Sequence, residues 1–307
     1  MIGALLVGIA GSAIRFATPY LYAAVGETLG QLSGVLNLGV EGIMLMAAFS
    51  AFWATMQTGS LALGLLAAIA TGALFGLLVA FINITLKAEQ GISGIGLYLL
   101  GLGLSAFLFR IAIGGVQAVT GFPEVPVPLL SAIPVVGKIL FRQNVLVYGA
   151  FALVPLMWFV VHRTPFGLKV RAAGQNPQAA DSLGVDVVRI RYLSAVAGGV
   201  LAGLAGASLS IALLNIFQEN LTNGMGFIAV ALVFFGGWRA AGVLGGALLF
   251  STVNAIQLWI QIQGVAIPSD FALMMPYVVT ILVLALLARR RVNAPAVLGK
   301  PFERGRG

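Results

Sequence analysis

The apolar runs of this sequence are its strongest constraint, because about nine of them are long enough to cross a bilayer as a helix of ~20 residues. Only 8% of the residues are charged, against about 25% in soluble domains, so the chain cannot cover a water-facing surface. We therefore predict an all-α polytopic membrane protein with about nine transmembrane helices in a single domain over 1–290. The predicted spans lie near 2–26, 35–57, 61–86, 92–113, 145–161, 192–214, 221–238, 241–262 and 271–288.

The basic residues are concentrated beside apolar runs. Five of the 17 Lys and Arg residues lie in 163–191 and six lie in 289–306. Basic residues next to spans mark cytoplasmic loops, so the net charge of +8 indicates orientation in a membrane rather than nucleic-acid binding. We predict a cytoplasmic loop at 162–191, an outer loop at 114–143 and a disordered cytoplasmic tail at 291–307. Lys138 and Arg142, in the outer loop, depart from the charge rule.

Patterns for catalysis and metal binding are missing from the sequence. It has no Cys and a single His, His162, with no carboxylate beside it, which excludes disulfides, thiolate metal sites and a histidine-based catalytic pair. The phosphate-binding loop G-x-x-x-x-G-K-[ST] is also missing, since Gly299–Lys300 is followed by Pro301 without the glycine frame. We predict no catalytic residue, no metal site and no cofactor bound by this chain.

Glycines predict either close helix packing or breaks in the spans. Gly72 and Gly76, like Gly199 and Gly203, have the spacing of small residues at helix contacts. Two further groups, Gly91–Gly94–Gly96 around Ser93 and Gly236–Gly237, predict interrupted or re-entrant spans. Irregular backbone is tolerated at membrane depth only where protein or a water-filled cavity satisfies it, as around transport pathways. Ser93 is therefore a candidate pathway residue, and close packing is the alternative.

A carboxylate lies inside the apolar segment VLNLGVEGIM, Val35–Met44. A charged side chain at membrane depth is expensive enough to indicate a role for Glu41. Three roles are open: a contact for substrate hydroxyls, a gate, or a buried acceptor for the backbone of a broken helix. Asn37, four residues earlier, would share a helical face with Glu41. Both are candidate pathway residues.

A polar stripe marks the span near 241–262. Ser251, Asn254, Gln257 and Gln261 fall on one broad helical face. Their amides could line a pathway for a neutral hydroxylated solute, because an amide both donates and accepts hydrogen bonds; hydrogen bonding between helices is the alternative. Phe235 could stack on a base in this pathway or pack as an interfacial or core residue.

The 162–191 loop contains the signals of a short amphipathic helix. Asn176 can cap its start, Pro177 suits the first helical position and Gly184 suits the C-terminal cap. Ala179, Ala180 and Leu183 fall on one apolar face. Because a two-turn helix is not stable alone in water, we expect it to dock on its own membrane domain, on the lipid interface or on a partner.

Two segments resemble a known family. RAAGQNPQAADSLGV and ETLGQLSGVLNLGVEGIMLMAAF are similar to the coupling loop and the N-terminal signature of permease subunits of ATP-binding cassette importers, in the branch that imports nucleosides and simple sugars. Ribose-type relatives carry an aspartate-containing signature where this chain has Glu41. The resemblance implies that the 163–191 loop contacts the ATPase through Arg171, Gly174, Asn176, Pro177, Ala179, Ala180, Leu183 and Gly184.

The resemblance implies a membrane subunit that forms the translocation pathway for nucleosides in a bacterial cytoplasmic membrane. Its partners would be a cytoplasmic ATPase that uses ATP-Mg, a second permease subunit and an outer substrate-binding protein. The same architecture importing a ribose-like sugar or a branched-chain amino acid is the nearest alternative. A secondary transporter or channel without an ATPase is the alternative from a different class.

Overall fold

The computed structural model describes residues 2–262 and 294–304, together with 274–275, 278–279, 281–282 and 285. The predicted span near 271–288 therefore lies largely outside the described residues. The chain forms a bundle of helices: α1 (Ile2–Leu32), α2 (Val40–Thr58), α3 (Leu61–Ala80), α4 (Gln90–Ala112), α5 (Val136–Leu140), α6 (Val145–Arg163), α7 (Pro165–Gln175), α8 (Pro177–Ser182), α9 (Val187–Ser208), α10 (Met225–Phe235) and α11 (Ala240–Ile262). A short antiparallel pair, β1 (Val125–Pro126) and β2 (Arg142–Gln143), lies in the 114–143 loop.

Within the described residues, five helices are long and apolar enough to cross a membrane. They are α4, α6, α11, and α3 and α9 with the π-helical turns that extend them to Thr85 and Leu213. This agrees with a polytopic all-α protein. The predicted span near 221–238 is wrong as a full crossing, because α10 has only 11 residues and a helix of that length rises about 16 Å.

The small-residue pairs predicted from the sequence do pack together. A Cβ built on Gly72 would lie 2.3 Å from the carbonyl oxygen of Gly199, and one on Gly203 would lie 2.5 Å from the carbonyl oxygen of Ala68. No side chain fits at such distances, so glycine is what lets α3 and α9 approach backbone to backbone.

The glycines at 91–96 do not interrupt a span. Helix α4 begins at Gln90, and the Glu89 carboxylate caps it by accepting from the N–H groups of Gly91 (3.0 Å) and Ile92 (2.5 Å). These bonds hold the pKa of Glu89 below its ordinary value. Gly94 serves close packing instead, since a Cβ there would lie 2.8 Å from the Leu38 Cβ. The prediction of a break is wrong here and right at Gly236–Gly237, which lie between α10 and α11.

The tail is not disordered over 294–304. Val297 donates to the Gly174 carbonyl (3.2 Å) and Gly299 to the Gly34 carbonyl (3.1 Å). Arg304 forms an ion pair with Asp181 at 2.9 Å, and Lys87 forms one with Glu303 at 3.5 Å. These contacts bring the 87–89 turn, the 162–191 loop and the tail to one end of the bundle, termed the basic end below.

Candidate functional site

Glu41 lies in the first turn of α2 and is 1% exposed. One carboxylate oxygen accepts from the Thr222 hydroxyl (2.5 Å) and from the Gly224 N–H (2.7 Å), and the other accepts from the Gly226 N–H (2.6 Å). These donors lie at the start of α10, where backbone N–H groups have no partner within the helix and the helix dipole favours negative charge. The geometry therefore fits an acceptor for the backbone of a broken helix.

The starts of α2 and α10 meet halfway through the bundle. Gly42 contacts α4 at Leu97, Tyr98 and Gly101, about midway along that helix. Gly226 lets α10 reach the same depth, because a Cβ there would lie 2.6 Å from the Glu41 Cα. Each of these helices is thus preceded by a non-helical segment at depth, and Glu41 joins the two starts.

The non-helical segment 33–39, which leads from α1 to α2, has its backbone satisfied by buried side chains. Leu36 N–H donates to Gln90 Oε1 at 2.7 Å, and Asn37 N–H donates to Glu27 Oε1 at 3.0 Å. The Ser33 carbonyl accepts from Arg191 Nε at 3.1 Å. Irregular backbone at membrane depth requires such partners.

Asn37 does not share a helical face with Glu41, because it precedes α2. Its side-chain oxygen accepts from the Gly39 N–H at 2.9 Å, which fixes the turn into the helix. Asn37 therefore stabilises the non-helical backbone before α2 rather than sharing the face of Glu41.

Sequence reasoning missed a polar network beneath this segment. The Gln31 side chain donates to Glu27 (3.1 Å) and accepts from the Trp238 indole N–H (2.9 Å). It thereby ties segment 33–39 to the turn between α10 and α11. The spacing of Glu27 and Gln31, four residues apart on one face of an apolar helix, was the signal that could have revealed it.

A cavity of about 380 Å³ opens beside this junction, within the size range of small-molecule sites. Of the predicted pathway residues, Asn254 and Gln257 line it. So does Thr222, which also donates to Glu41, so the carboxylate lies one side chain behind the cavity wall. The remaining lining residues are Phe16, Tyr20, Leu209, Leu213, Leu214, Leu221, Asn223, Met225, Ile228 and Leu258.

The other predicted pathway residues lie outside this cavity. The Ser251 hydroxyl is buried and donates to the Leu248 carbonyl. Ser93 donates to Asn83 Oδ1 at 2.5 Å, near the basic end. Phe235 packs on Phe250 at a ring distance of 5.9 Å, and Gln261 is exposed near the end of α11. The stripe on α11 thus divides between cavity lining and other environments.

Helix α8 begins and ends with the predicted caps. Asn176 Oδ1 accepts from the Ala179 N–H at 3.0 Å, Pro177 is the first helical residue, and Gly184 has a φ of +82°. The predicted apolar face is divided, however. Ala180 is 4% exposed and packs inward, whereas Leu183 is 85% exposed and Ala179 also faces outward.

The preceding helix, α7, joins this loop to the bundle. A Cβ on Gly174 would lie 2.1 Å from the Leu32 carbonyl oxygen, so the glycine lets α7 pack on the end of α1. Arg171 is half-buried, and its Nε has no hydrogen-bond partner within the described residues. Four predicted coupling residues are exposed, and a partner can reach them directly: Asn176, Ala179, Leu183 and Gly184.

Several curated proteins are similar to this chain over almost its whole length. A putative glucose ABC transporter permease, TsgC13 of Haloferax volcanii, is 38% identical over 97% of this chain and 98% of its own length. The guanosine ABC transporter permease NupQ of Bacillus subtilis is 35% identical over 95% of both chains. The nucleoside ABC transporter permease NupC of Lactococcus lactis is 36% identical over 94% of both chains. No solved structure matches.

A family model matches residues 9–284, which include every candidate pathway and coupling residue. The match also contains the non-helical segments 33–39 and 214–224 and the whole cavity lining. This chain therefore belongs to the family described as the permease component of branched-chain amino acid transport systems.

Proposed function

We propose that this chain is the membrane-spanning subunit of an ATP-driven importer that carries nucleosides across the bacterial cytoplasmic membrane. The observation that carries the proposal is the similarity, over at least 94% of the chain, to permeases of ABC transporters, two of which are named for guanosine or nucleosides. The chain would contain about nine membrane helices, of which α10 crosses only part of the bilayer, with the 162–191 loop and the tail in the cytoplasm and the 114–143 loop outside.

The cavity chemistry supports a neutral, hydroxylated ring as the solute. The described residues that line the cavity include none with a charge, and the amides of Asn223, Asn254 and Gln257 can donate to and accept from hydroxyl and base edges. An amino acid would bring a carboxylate and an ammonium group into this site without an opposite charge, which is costly in an apolar setting. A nucleoside therefore suits the cavity better than a branched-chain amino acid does.

A hexose is the second candidate, because the relative with 38% identity is named for glucose. A sugar would use the same amides and leave the apolar walls formed by Phe16, Leu213 and Ile228 without a flat partner. Those walls offer a nucleobase a surface to pack on, which favours the nucleoside.

The energy source would be a partner subunit, because this sequence lacks a phosphate-binding loop. A cytoplasmic ATP-binding cassette ATPase would use ATP-Mg and contact the exposed side of α8. A second permease subunit would complete the pathway, and an outer binding protein would deliver the solute.

Uptake assays test the proposal directly. Cells that lack this chain, and the same cells complemented with it, are given labelled guanosine, uridine, glucose and leucine in turn. We expect the chain to restore uptake of the nucleosides alone, and depletion of cellular ATP to abolish that uptake. Restored uptake of glucose or leucine would instead identify the chain as part of a sugar or an amino-acid importer. Uptake that survives ATP depletion would exclude an ATP-driven importer.

Replacing Gln257 by leucine should raise the half-saturating nucleoside concentration of the complete importer by roughly three- to tenfold, since a typical hydrogen bond contributes about 0.5–1.5 kcal/mol. The matched control is Gln261→Leu, the same change on the same helix outside the cavity. Uptake is measured against nucleoside concentration at equal expression. If the two variants had the same half-saturating nucleoside concentration, Gln257 would not be a pathway residue.

Leu183→Glu should weaken binding of the ATPase while leaving the permease folded, because the side chain is 85% exposed and its apolar surface is what a partner groove would cover. The control is Leu168→Glu on α7, where another leucine is 62% exposed. The readout is the amount of ATPase that co-purifies with the permease. Retention by Leu183→Glu at the parent level would contradict a docking role for α8. Ala180 is unsuitable for this test, because its burial makes a charged substitution a folding defect.

A further inference from the structure

The 114–143 loop exposes a large apolar surface at the end of the bundle opposite the basic end. Six of its side chains, the outer patch, are each at least 42% exposed. Leu129 is the extreme case at 90%. Proteins in water do not keep such contiguous apolar surface uncovered. The outer patch consists of Leu129, Leu130, Ile133, Val135, Val136 and Leu140.

The fold holds these side chains outward at an energetic cost. β1 and β2 pair at the base of the loop, with Val125 opposite Gln143, and the chain between them carries the outer patch. Leu129 and Val135 have φ values of +67° and +66°, a region that L-residues avoid and that is especially unfavourable for β-branched valine. Such a conformation persists only where the surroundings compensate for it. The N–H groups of Leu130 and Val136 donate to the Pro128 and Pro134 carbonyls across these two residues at 2.8 Å each, and transfer of the two exposed side chains into an apolar environment would add to that compensation.

Basic residues accompany the outer patch. Lys138 lies in α5 between Val136 and Leu140, and Arg142 lies in β2; both are exposed. Within the described part of the chain, neither takes part in an ion pair. Their position on the outer side runs against the usual bias of basic residues toward the cytoplasm. A surface of anionic headgroups would give both of them counter-charges.

The outer patch also continues the exterior of a spanning helix. β2 leads into α6, whose first residue, Val145, is 55% exposed, and Leu156 and Phe159 farther along α6 are 54% and 52% exposed. Because α6 is long and apolar enough to cross a membrane, we expect these side chains to contact lipid. The apolar surface of the outer patch thus meets the lipid-facing surface at its outer end.

We infer that residues 125–142 form an interfacial anchor, a segment that lies in the outer leaflet with the outer patch against the acyl chains and Lys138 and Arg142 at anionic headgroups. Apolar side chains with basic residues at their edge are the composition of segments that lie in this interface. The inference does not depend on which solute the protein carries. Lipid is the occupant that matches both the exposed basic residues and the continuity of the apolar surface with α6.

The lack of cysteine in the chain makes the test direct, since an introduced cysteine is the sole labelling site in this subunit, which is labelled before the importer is assembled. Leu129→Cys and Val136→Cys carry a nitroxide in the complete importer, reconstituted in vesicles of phosphatidylcholine and phosphatidylglycerol. Collision of the label with oxygen, which concentrates in the bilayer, is compared with collision with a water-soluble nickel chelate. The control is Gln218→Cys, an exposed residue of the loop before α10.

We expect the ratio of oxygen to nickel collisions to be several-fold higher at positions 129 and 136 than at 218. We also expect it to fall when Lys138 and Arg142 are both changed to glutamine, or when phosphatidylcholine replaces phosphatidylglycerol. Nickel access at 129 and 136 equal to that at 218 would overturn the inference. So would protection that arises only after the outer binding protein is added, since the outer patch would then be a protein docking surface.

Discussion

Replacing Glu41 by alanine is expected to destabilise the protein by about 3 kcal/mol or more, because each buried donor left unpaired costs roughly 1–3 kcal/mol. Three donors lose their acceptor in this variant: the Thr222 hydroxyl and the N–H groups of Gly224 and Gly226. The start of α10 would then lose its fixed position beside α2. We expect a lower unfolding temperature of the purified complex and loss of uptake in cells.

Two further variants separate the structural role of Glu41 from a role in transport. Thr222→Val removes one hydrogen bond and should cost about 1 kcal/mol. Glu41→Gln keeps one oxygen acceptor but turns an NH₂ group toward an N–H donor, so its stability should lie between those of Thr222→Val and Glu41→Ala. Parent stability in Glu41→Ala would contradict the structural role. Parent stability in Glu41→Gln together with lost uptake would assign the carboxylate to the pathway.

The local features of the fold could be predicted because their causes lie within a few residues. The caps of α8 depend on Asn176, Pro177 and Gly184, all of which act on adjacent backbone. The glycine pairs of α3 and α9 likewise follow from spacing alone. Such signals need no knowledge of what packs elsewhere in the chain.

The junction at Glu41 could not be derived, because it joins residues more than 180 positions apart. An isolated polar residue in an apolar run has the same sequence pattern whether it lines a cavity, as Gln257 does, or bonds within its own helix, as Ser251 does. Glycine is equally ambiguous. Gly94 lies in a continuous helix against Leu38, whereas Gly237 has a φ of +60° in a turn, and glycine permits both conformations.

The order of the tail was missed for a related reason. A short polar segment rich in Gly and Arg is typical of disorder when read alone. In the structure, Arg191 is 1% exposed and donates to the carbonyls of Ser33 and Lys300, so a buried guanidinium holds the tail beside segment 33–39. The partner that orders the tail is thus more than 100 residues away in the sequence.

Gly101→Ala is the second substitution with a large expected effect, because it acts on the same junction from the other side. The added Cβ would lie 2.4 Å from the Gly42 carbonyl oxygen and 2.5 Å from the Gly42 Cα. Backbone atoms cannot rotate away as a side chain can, so α2 and α4 must separate. Overpacking of this kind typically costs about 1–3 kcal/mol, and the shift would draw the neighbouring Glu41 away from Thr222, Gly224 and Gly226. We expect a lower unfolding temperature. We also expect uptake to fall by a larger factor than the amount of permease in the membrane does.

Gly103→Ala supplies the matched control, since it adds the same methyl group to the same helix at a position where a Cβ meets nothing within 4 Å. Alanine is the better helix former by roughly 0.5–1 kcal/mol, so this variant should be as stable as the parent or more stable, with normal uptake. Both are measured as unfolding temperature and as uptake per molecule of permease. If Gly101→Ala behaved like Gly103→Ala, α2 and α4 would not be in backbone contact at Gly42, and the shared depth of the α2 and α10 starts would have to be abandoned. A loss confined to Gly101→Ala would instead tie uptake to the exact approach of α2 to α4, one residue from Glu41.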